Sequence, residues 1–111
     1  MPRVQLKTLT EQMYYVLLAL KKERYGVEIS QYIEKLTHGR IILGPGTLYA
    51  ILSKFEAEKW IHEKKTEGRK RSYIMTDKGR IMLEKEYQHL LEMIEDTKKS
   101  EEDIDESWIK I

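Results

Sequence analysis

Two groups of side chains in this sequence have the types and spacing for chemistry, and in both the chemistry is recognition of anions. The first is Gly68-Arg69-Lys70-Arg71, three cations behind a glycine, set between two extended runs. Arginine brings a fixed charge and a planar fork of donors, which suits phosphate oxygens. The second is the set Thr47, Tyr49, Ser53 and Lys54 on a segment opened by Gly44-Pro45-Gly46. Hydroxyl and ammonium donors on the first turns of a helix reach phosphate oxygens or base edges, and the free amides of the helix start favour the same ligand. Lys64 and Lys65, shortly before the cationic turn, extend the basic group. The candidate contacts to double-stranded DNA are therefore Thr47, Tyr49, Ser53, Lys54, Lys64, Lys65, Arg69, Lys70 and Arg71. Plainer readings stay open at this point: Thr47 as a helix cap, Tyr49 as a core residue with an exposed hydroxyl, and the charge run as a solvated turn.

Other chemistry finds no residues to carry it. The chain has no cysteine, which excludes disulfides, thiolate metal sites and a cysteine nucleophile. His38, His62 and His89 each stand more than twenty residues from the next, so they lack metal-ligand spacing. Gly44-Pro45-Gly46 lacks the Gly-Lys-Ser/Thr ending of a phosphate-cradling loop. Acidic pairs such as Glu101-Glu102 sit in a polar stretch with no apolar setting to shift a pKa. The expectation is a protein that is not an enzyme and needs no cofactor or metal.

Charge sharpens the picture. The net charge over 111 residues is +1, but it is unevenly spread. Residues 1–58 carry eight Lys/Arg against six Asp/Glu, residues 59–80 eight against three, and residues 81–111 four against ten. A basic band of net +5 thus lies between a near-neutral first half and an acidic end of net −6, and nucleic acid responds to the local field rather than the total. No apolar run approaches the roughly 18 residues a membrane span needs, and the start Met-Pro-Arg-Val-Gln-Leu-Lys has no signal-peptide core. A cytoplasmic location without membrane contact is expected.

The elements that must position these residues follow from periodicity. Thr8 or Thr10 caps a first helix, with Glu11 placed to complete a capping box with Thr8. Leu9, Met13, Val16, Leu17 and Leu20 carry it to about Lys22. A second helix has Val27, Ile29, Ile33 and Leu36 as its apolar positions and ends at Thr37-His38-Gly39, with the glycine in the left-handed conformation. Arg40-Ile41-Ile42-Leu43 reads as a short edge strand or an extended connector. In the third helix Leu48, Ile51, Leu52 and Phe55 form one stripe at i, i+3, i+4, i+7, with Thr47, Ala50, Ser53 and Lys54 on the other side and Tyr49 between. Trp60–Thr66 and Arg71–Met75 flank a glycine-containing turn, the pattern of a β-hairpin. Thr76-Asp77 caps a last helix reaching Asp96 to Lys99, followed by a polar stretch from Lys98 to Glu106 that is expected to fray. Trp108, Ile109 and Ile111 then form an apolar end to the acidic tail.

The order predicts a mainly α fold with a small β-sheet: a winged helix-turn-helix over residues 1–76, a long dimerisation helix over 77–99, and an acidic tail over 100–111. The last helix carries a wider apolar stripe than one small domain needs. Leu83, Tyr87, Leu90, Leu91 and Ile94 are its main positions and the candidate dimer interface, with Ile81, Met82 and Met93 beside them. A stripe that packs only on its own domain is the alternative.

In this order and spacing, several pieces make the chain resemble the PadR family of bacterial transcriptional regulators over nearly all its length. They are Leu9-Thr10 with Val16-Leu17-Leu18-Ala19-Leu20, Tyr25-Gly26-Val27-Glu28-Ile29, Gly46-Thr47-Leu48-Tyr49, Leu52-Ser53-Lys54-Phe55-Glu56, Gly68-Arg69-Lys70-Arg71-Ser72-Tyr73 and Thr76-Asp77-Lys78-Gly79-Arg80. The resemblance implies a homodimeric winged-helix repressor that occupies operator DNA, of the short branch with one helix after the wing. Two departures stand out: Ala50, where a proline is frequent, and Lys59-Trp60, where glycine often ends the recognition helix. Some relatives bind phenolic or multidrug-like compounds at the dimer centre. That resemblance makes a small aromatic effector a possible partner, with Tyr14, Tyr15, Tyr87 and Trp108 as candidate contacts, although core packing explains aromatics at helical spacing more simply. The rival function, from another class, is a winged-helix module for protein contacts with the acidic tail as its adhesive part.

Overall fold

The computed structural model describes residues 9–103. Along the chain lie α1 (Glu11–Ala19), β1 (Arg24–Tyr25), α2 (Gly26–Leu36), α3 (Pro45–Ala57), β2 (Ile61–Glu67), β3 (Lys70–Met75) and α4 (Asp77–Ser100), followed by one 3₁₀ turn, Glu101–Asp103. Among the described residues the three strands form one antiparallel sheet in the order β1-β3-β2. This is a winged helix: three helices on a small sheet, with the β2–β3 hairpin as wing and a long helix appended.

Local chemistry sets the element ends. Thr10 caps α1, its hydroxyl accepting from the Met13 N–H at 3.1 Å; Thr8, the other candidate, lies outside the described residues. α1 stops at Ala19 rather than near Lys22, because tertiary donors take its last carbonyls. Arg24 Nε donates to Ala19 O at 2.7 Å and the Met75 N–H to Leu20 O at 2.9 Å. α2 begins one residue earlier than the apolar pattern suggests. Its N-cap is Tyr25, whose N–H donates to Glu28 Oε1 at 2.8 Å.

Both α2 and α3 end in the same hydrogen-bonded turn. The Gly39 N–H reaches Glu34 O and the His38 N–H reaches Lys35 O; the Trp60 N–H reaches Phe55 O and the Lys59 N–H reaches Glu56 O. This motif needs a left-handed residue just past the helix. Gly39 is left-handed as expected, at φ 80°, but the position that the motif requires is filled by His38 at φ 53° and, after α3, by Lys59 at φ 65°. Neither is glycine, so both carry some backbone strain.

The run Arg40–Leu43 is a connector, not a strand. It alternates as a strand would, with Ile41 and Leu43 buried and Ile42 exposed. Its Ile41 N–H is taken by the buried Thr37 hydroxyl at 3.0 Å, and that hydroxyl donates in turn to Ile33 O at 2.9 Å. The third place in the sheet goes to Arg24–Tyr25, paired to Tyr73 and Ser72 of β3.

The core gathers Val16, Leu17 and Leu20 of α1, Ile29 and Ile33 of α2, and the whole predicted stripe of α3 (Leu48, Ile51, Leu52, Phe55), closed by Trp60 and Tyr73. Phe55 and Trp60 pack with ring centroids 5.3 Å apart and their planes tilted by 47°. Truncating a ring as buried as Phe55 costs about 3–5 kcal/mol. Val27 and Leu36, expected on the apolar side of α2, face solvent instead, since α2 meets the core through Ile29 and Ile33 with Tyr32 beside them.

α4 is capped by Thr76, which accepts from the Gly79 N–H at 3.1 Å. Gly79 lies so close to the Trp60 carbonyl that a side chain there would overlap it. From this anchor α4 runs 24 residues, about 36 Å at 1.5 Å per residue. Lys98–Ser100, expected to fray, remain helical: Thr97 donates to Met93 O, Ser100 to Thr97 O, and Lys98 sits 4.0 Å from Glu95. No helix among the described residues is long and apolar enough to cross a membrane.

Candidate nucleic-acid interface

The sequence pattern of α3 divides it into two faces, and the structure keeps them apart. Its N-cap is Gly44, with Pro45 at the first helical position and no side-chain cap. Thr47 is therefore not the cap; it is an exposed residue of the first turn, beside amides that no side chain satisfies. Gly46, Thr47, Ala50, Ser53, Lys54 and Ala57 form one exposed, small or hydrophilic face opposite the buried stripe. Such a face can lie close to a groove without steric conflict. Tyr49 is not in the core: it is 48% exposed, and its ring lies over Gly26 at the start of α2, where a methyl group would overlap its hydroxyl.

The wing supplies the charge. β2 and β3 pair from Ile61↔Met75 out to Glu67↔Lys70. Gly68 and Arg69 close the hairpin, with Gly68 at φ 60°; a positive φ at the first turn residue alone marks a turn that takes glycine there. The pairing slips once, between Glu63 and Lys65, so Lys64 is the extra residue of a bulge. Bulges twist a strand and re-aim its side chains. Lys64, Lys65, Arg69, Lys70 and Arg71 are all exposed. They are not equivalent. Arg71 stands 3.8 Å from Glu63, and the Lys70 ammonium lies 5.7 Å from the centre of the Tyr25 ring. Lys54, Lys64, Lys65 and Arg69 have no acidic partner among the described residues.

The candidate dimer residues separate as well. Leu83 is buried in the core of its own domain. Beyond it Leu90 is half-buried, whereas Tyr87, Leu91 and Ile94 are exposed at 47%, 39% and 52%, with Met93 beside them at 51%. The exposed set continues the core-facing side of α4 outward, past the point where its own domain can cover it.

Tyr14 and Tyr87, two of the four candidate effector contacts, line one cleft of about 680 Å³ between α1, β3 and α4, with Leu18, Met75, Leu83 and Arg80. Burial first, then the nearby Tyr87 and Glu86, push the Tyr14 phenol above its ordinary value. Tyr15 does not line this cleft; it meets Tyr14 edge-on at 6.1 Å and its hydroxyl accepts from Arg40 at 2.9 Å. Trp108 lies outside the described residues.

Two contributors to this surface carry no charge and are not among the candidate contacts. Gly26 makes room for Tyr49, and Tyr25 touches the wing through Glu67 and Lys70. Both lie in Tyr25-Gly26-Val27-Glu28-Ile29, one of the pieces that carry the family resemblance, but nothing in that piece pairs them with Tyr49 or the wing.

With this geometry in view, comparison with known proteins gives a consistent answer. Residues 16–85 match the transcriptional regulator PadR-like family. The chain is 37% identical over 62 residues to an uncharacterised 37.1 kDa protein in a transposon of Streptomyces fradiae; the match covers 56% of this chain but only 17% of that protein's length. Its fold superposes on a PadR-like transcription factor from Bacteroides fragilis with a TM-score of 0.68 and 26% identity, over 79% of this chain and 87% of the other. It also superposes on Bacillus subtilis PadR in complex with operator DNA, with a TM-score of 0.59 and 25% identity, over 68% of this chain and 45% of that one.

Proposed function

This chain belongs to the PadR-like family of transcriptional regulators, a family of regulators and not of enzymes, and from that premise we propose that it binds double-stranded operator DNA as a homodimer and represses transcription in the cytoplasm. The observation that carries the reading is the exposed face of α3: a helix start with no side-chain cap, small residues along one side, and Thr47, Ser53 and Lys54 projecting from it. A helix of this kind enters the major groove with its first turns against the bases. The wing, with Lys64, Lys65, Arg69, Lys70 and Arg71, then holds the phosphate backbone. Such contacts fix register and affinity while carrying little sequence information.

Dimerisation belongs to the same reading. The uncovered stripe Tyr87, Leu90, Leu91 and Ile94 on α4 suits a two-fold copy of itself. Two recognition helices about 34 Å apart read successive major grooves of a near-palindrome. In this scheme residues 1–76 are the DNA-binding domain and 77–99 the dimerisation helix. The cleft holding Tyr14 and Tyr87 opens beside that helix, the place where a small aromatic effector would alter the spacing of the two halves.

Charge reversal at the wing is the test. Arg69→Glu with Lys70→Glu abolishes retention on immobilised duplex DNA if the reading holds. Unchanged retention, or no retention by the parent protein at low salt, turns the reading toward a protein-contact module whose adhesive part is the acidic tail.

A further inference from the structure

We infer that Tyr25 sets the angle of the wing and is thereby a positioning residue for DNA recognition, an inference that rests on the DNA-binding reading above. β1 contributes only the pairs Arg24↔Tyr73 and Tyr25↔Ser72 to the sheet. Among the described residues no strand lies beside the other edge of β3 from Arg71 outward, so the outer wing is a two-stranded ribbon. An isolated ribbon of that kind is marginally stable in water. Its direction must be fixed by side chains.

Tyr25 is placed to do this. Its hydroxyl donates to Glu67 Oε1 at 3.1 Å, across 42 positions of sequence. Its ring lies beneath the Lys70 ammonium, 5.7 Å from the ring centre, within cation–π range. Glu67 and Lys70 are the last pair of the ladder before the Gly68-Arg69 turn. One side chain therefore grips both strands of the wing where they end. Tyr25 is itself held by its pairing with Ser72 and by its N–H bond to Glu28. A second tether lies one step inward, where the Ser72 hydroxyl donates to Glu23 Oε2 at 2.6 Å. Desolvation and then the Glu67 bond hold the Tyr25 phenol above its ordinary value, so it remains a donor.

The sign of one substitution separates this role from simple electrostatics. Glu67 is an acidic group at the edge of a basic wing, so deleting its charge favours binding to a polyanion. Loss of the clamp opposes it. The clamp predicts that Glu67→Ala weakens binding despite removing a negative charge, by about threefold to tenfold, the range of one net hydrogen bond. Tyr25→Phe, which keeps the ring under Lys70, weakens binding to a similar extent, and the double variant is no weaker than either alone. Glu67→Gln keeps the acceptor and binds at least as tightly as the parent.

The experiment has two readouts on the full chain. The first is amide hydrogen exchange in the free protein: Tyr25→Phe accelerates exchange across residues 65–71 while the thermal midpoint stays near that of the parent. Unchanged exchange overturns the clamp whatever the DNA result. The second is anisotropy with a labelled mixed-sequence duplex over a salt series. The weakened variants keep the parent's salt slope, because Tyr25 and Glu67 release no counterions. Tighter binding by Glu67→Ala, or parent affinity in Tyr25→Phe, also overturns it. Failure of the parent protein to bind the duplex at low salt overturns the DNA-binding reading instead, and the exchange result then still decides whether Tyr25 holds the wing.

Discussion

Replacing Gly26 with alanine perturbs recognition through a residue that touches no DNA. Gly26 is buried at the first position of α2, and its φ is not among the positive ones, so alanine meets no backbone strain. The added methyl meets the tip of Tyr49, overlapping its hydroxyl and standing 3.0 Å from Cζ. That obstacle is the far end of a half-exposed side chain and can rotate away. Alanine in place of glycine gains up to about 1 kcal/mol of helix propensity, which offsets the partial loss of Tyr49 packing, so net stability moves by no more than about 1 kcal/mol. Binding responds differently. On the expectation that the Tyr49 hydroxyl donates to a DNA phosphate, a bond worth about 1.5–3 kcal/mol, displacing it weakens binding by about tenfold to a hundredfold. Gly79→Ala is the control, since its methyl meets the Trp60 backbone carbonyl, which cannot rotate away; that variant loses stability outright. Urea unfolding and duplex anisotropy on both variants separate the two effects. If Gly26→Ala melts as Gly79→Ala does, or binds like the parent while Tyr49→Phe binds weakly, the coupling from α2 to Tyr49 is refuted.

Lys59→Gly removes a left-handed non-glycine residue at the end of α3 and raises stability by about 0.5–1 kcal/mol in urea; a lowered midpoint contradicts the strain assigned there. Arg69→Ala lowers the slope of log affinity against log salt by about 0.9, one released counterion. Arg71→Ala lowers it less, because Glu63 already stands 3.8 Å away. Leu91→Asp with Ile94→Asp converts the proposed dimer to a monomer in sedimentation velocity while leaving the helical signal intact, since both side chains lie outside the domain core. A persistent dimer would place the interface elsewhere.

Much of the fold is written locally. The stripe Leu48, Ile51, Leu52 and Phe55 has one period and one burial outcome, and Thr76 caps α4 because a hydroxyl two or three residues ahead of free amides finds them. The glycine of the wing turn is legible for the same reason. What escapes the sequence depends on partners far away. β1 has two residues, too few for any period, and exists because β3 lies beside it. Arg40–Leu43 alternates as a strand, yet the Thr37 side chain takes the amide that a neighbouring strand would use. His38 and Lys59 fill positions where chemistry favours glycine; Gly39 still marks the end of α2, whereas no glycine marks the end of α3. At the candidate site the contrast is the same: charges on the wing and hydroxyls on α3 can be read directly, whereas the contacts of Gly26 with Tyr49 and Tyr25 with Glu67 join residues far apart in the chain.

Selection of binding sites from a pool of random duplex DNA decides whether this chain reads sequence, because it assumes no operator. A two-fold pair of recognition helices enriches a near-palindrome with half-sites about 10 base pairs apart, bound at least about a thousandfold more tightly than a scrambled duplex, and lost in the Arg69→Glu, Lys70→Glu protein. A pool that shows no enriched site, or enrichment that the charge-reversed wing leaves unchanged, contradicts it.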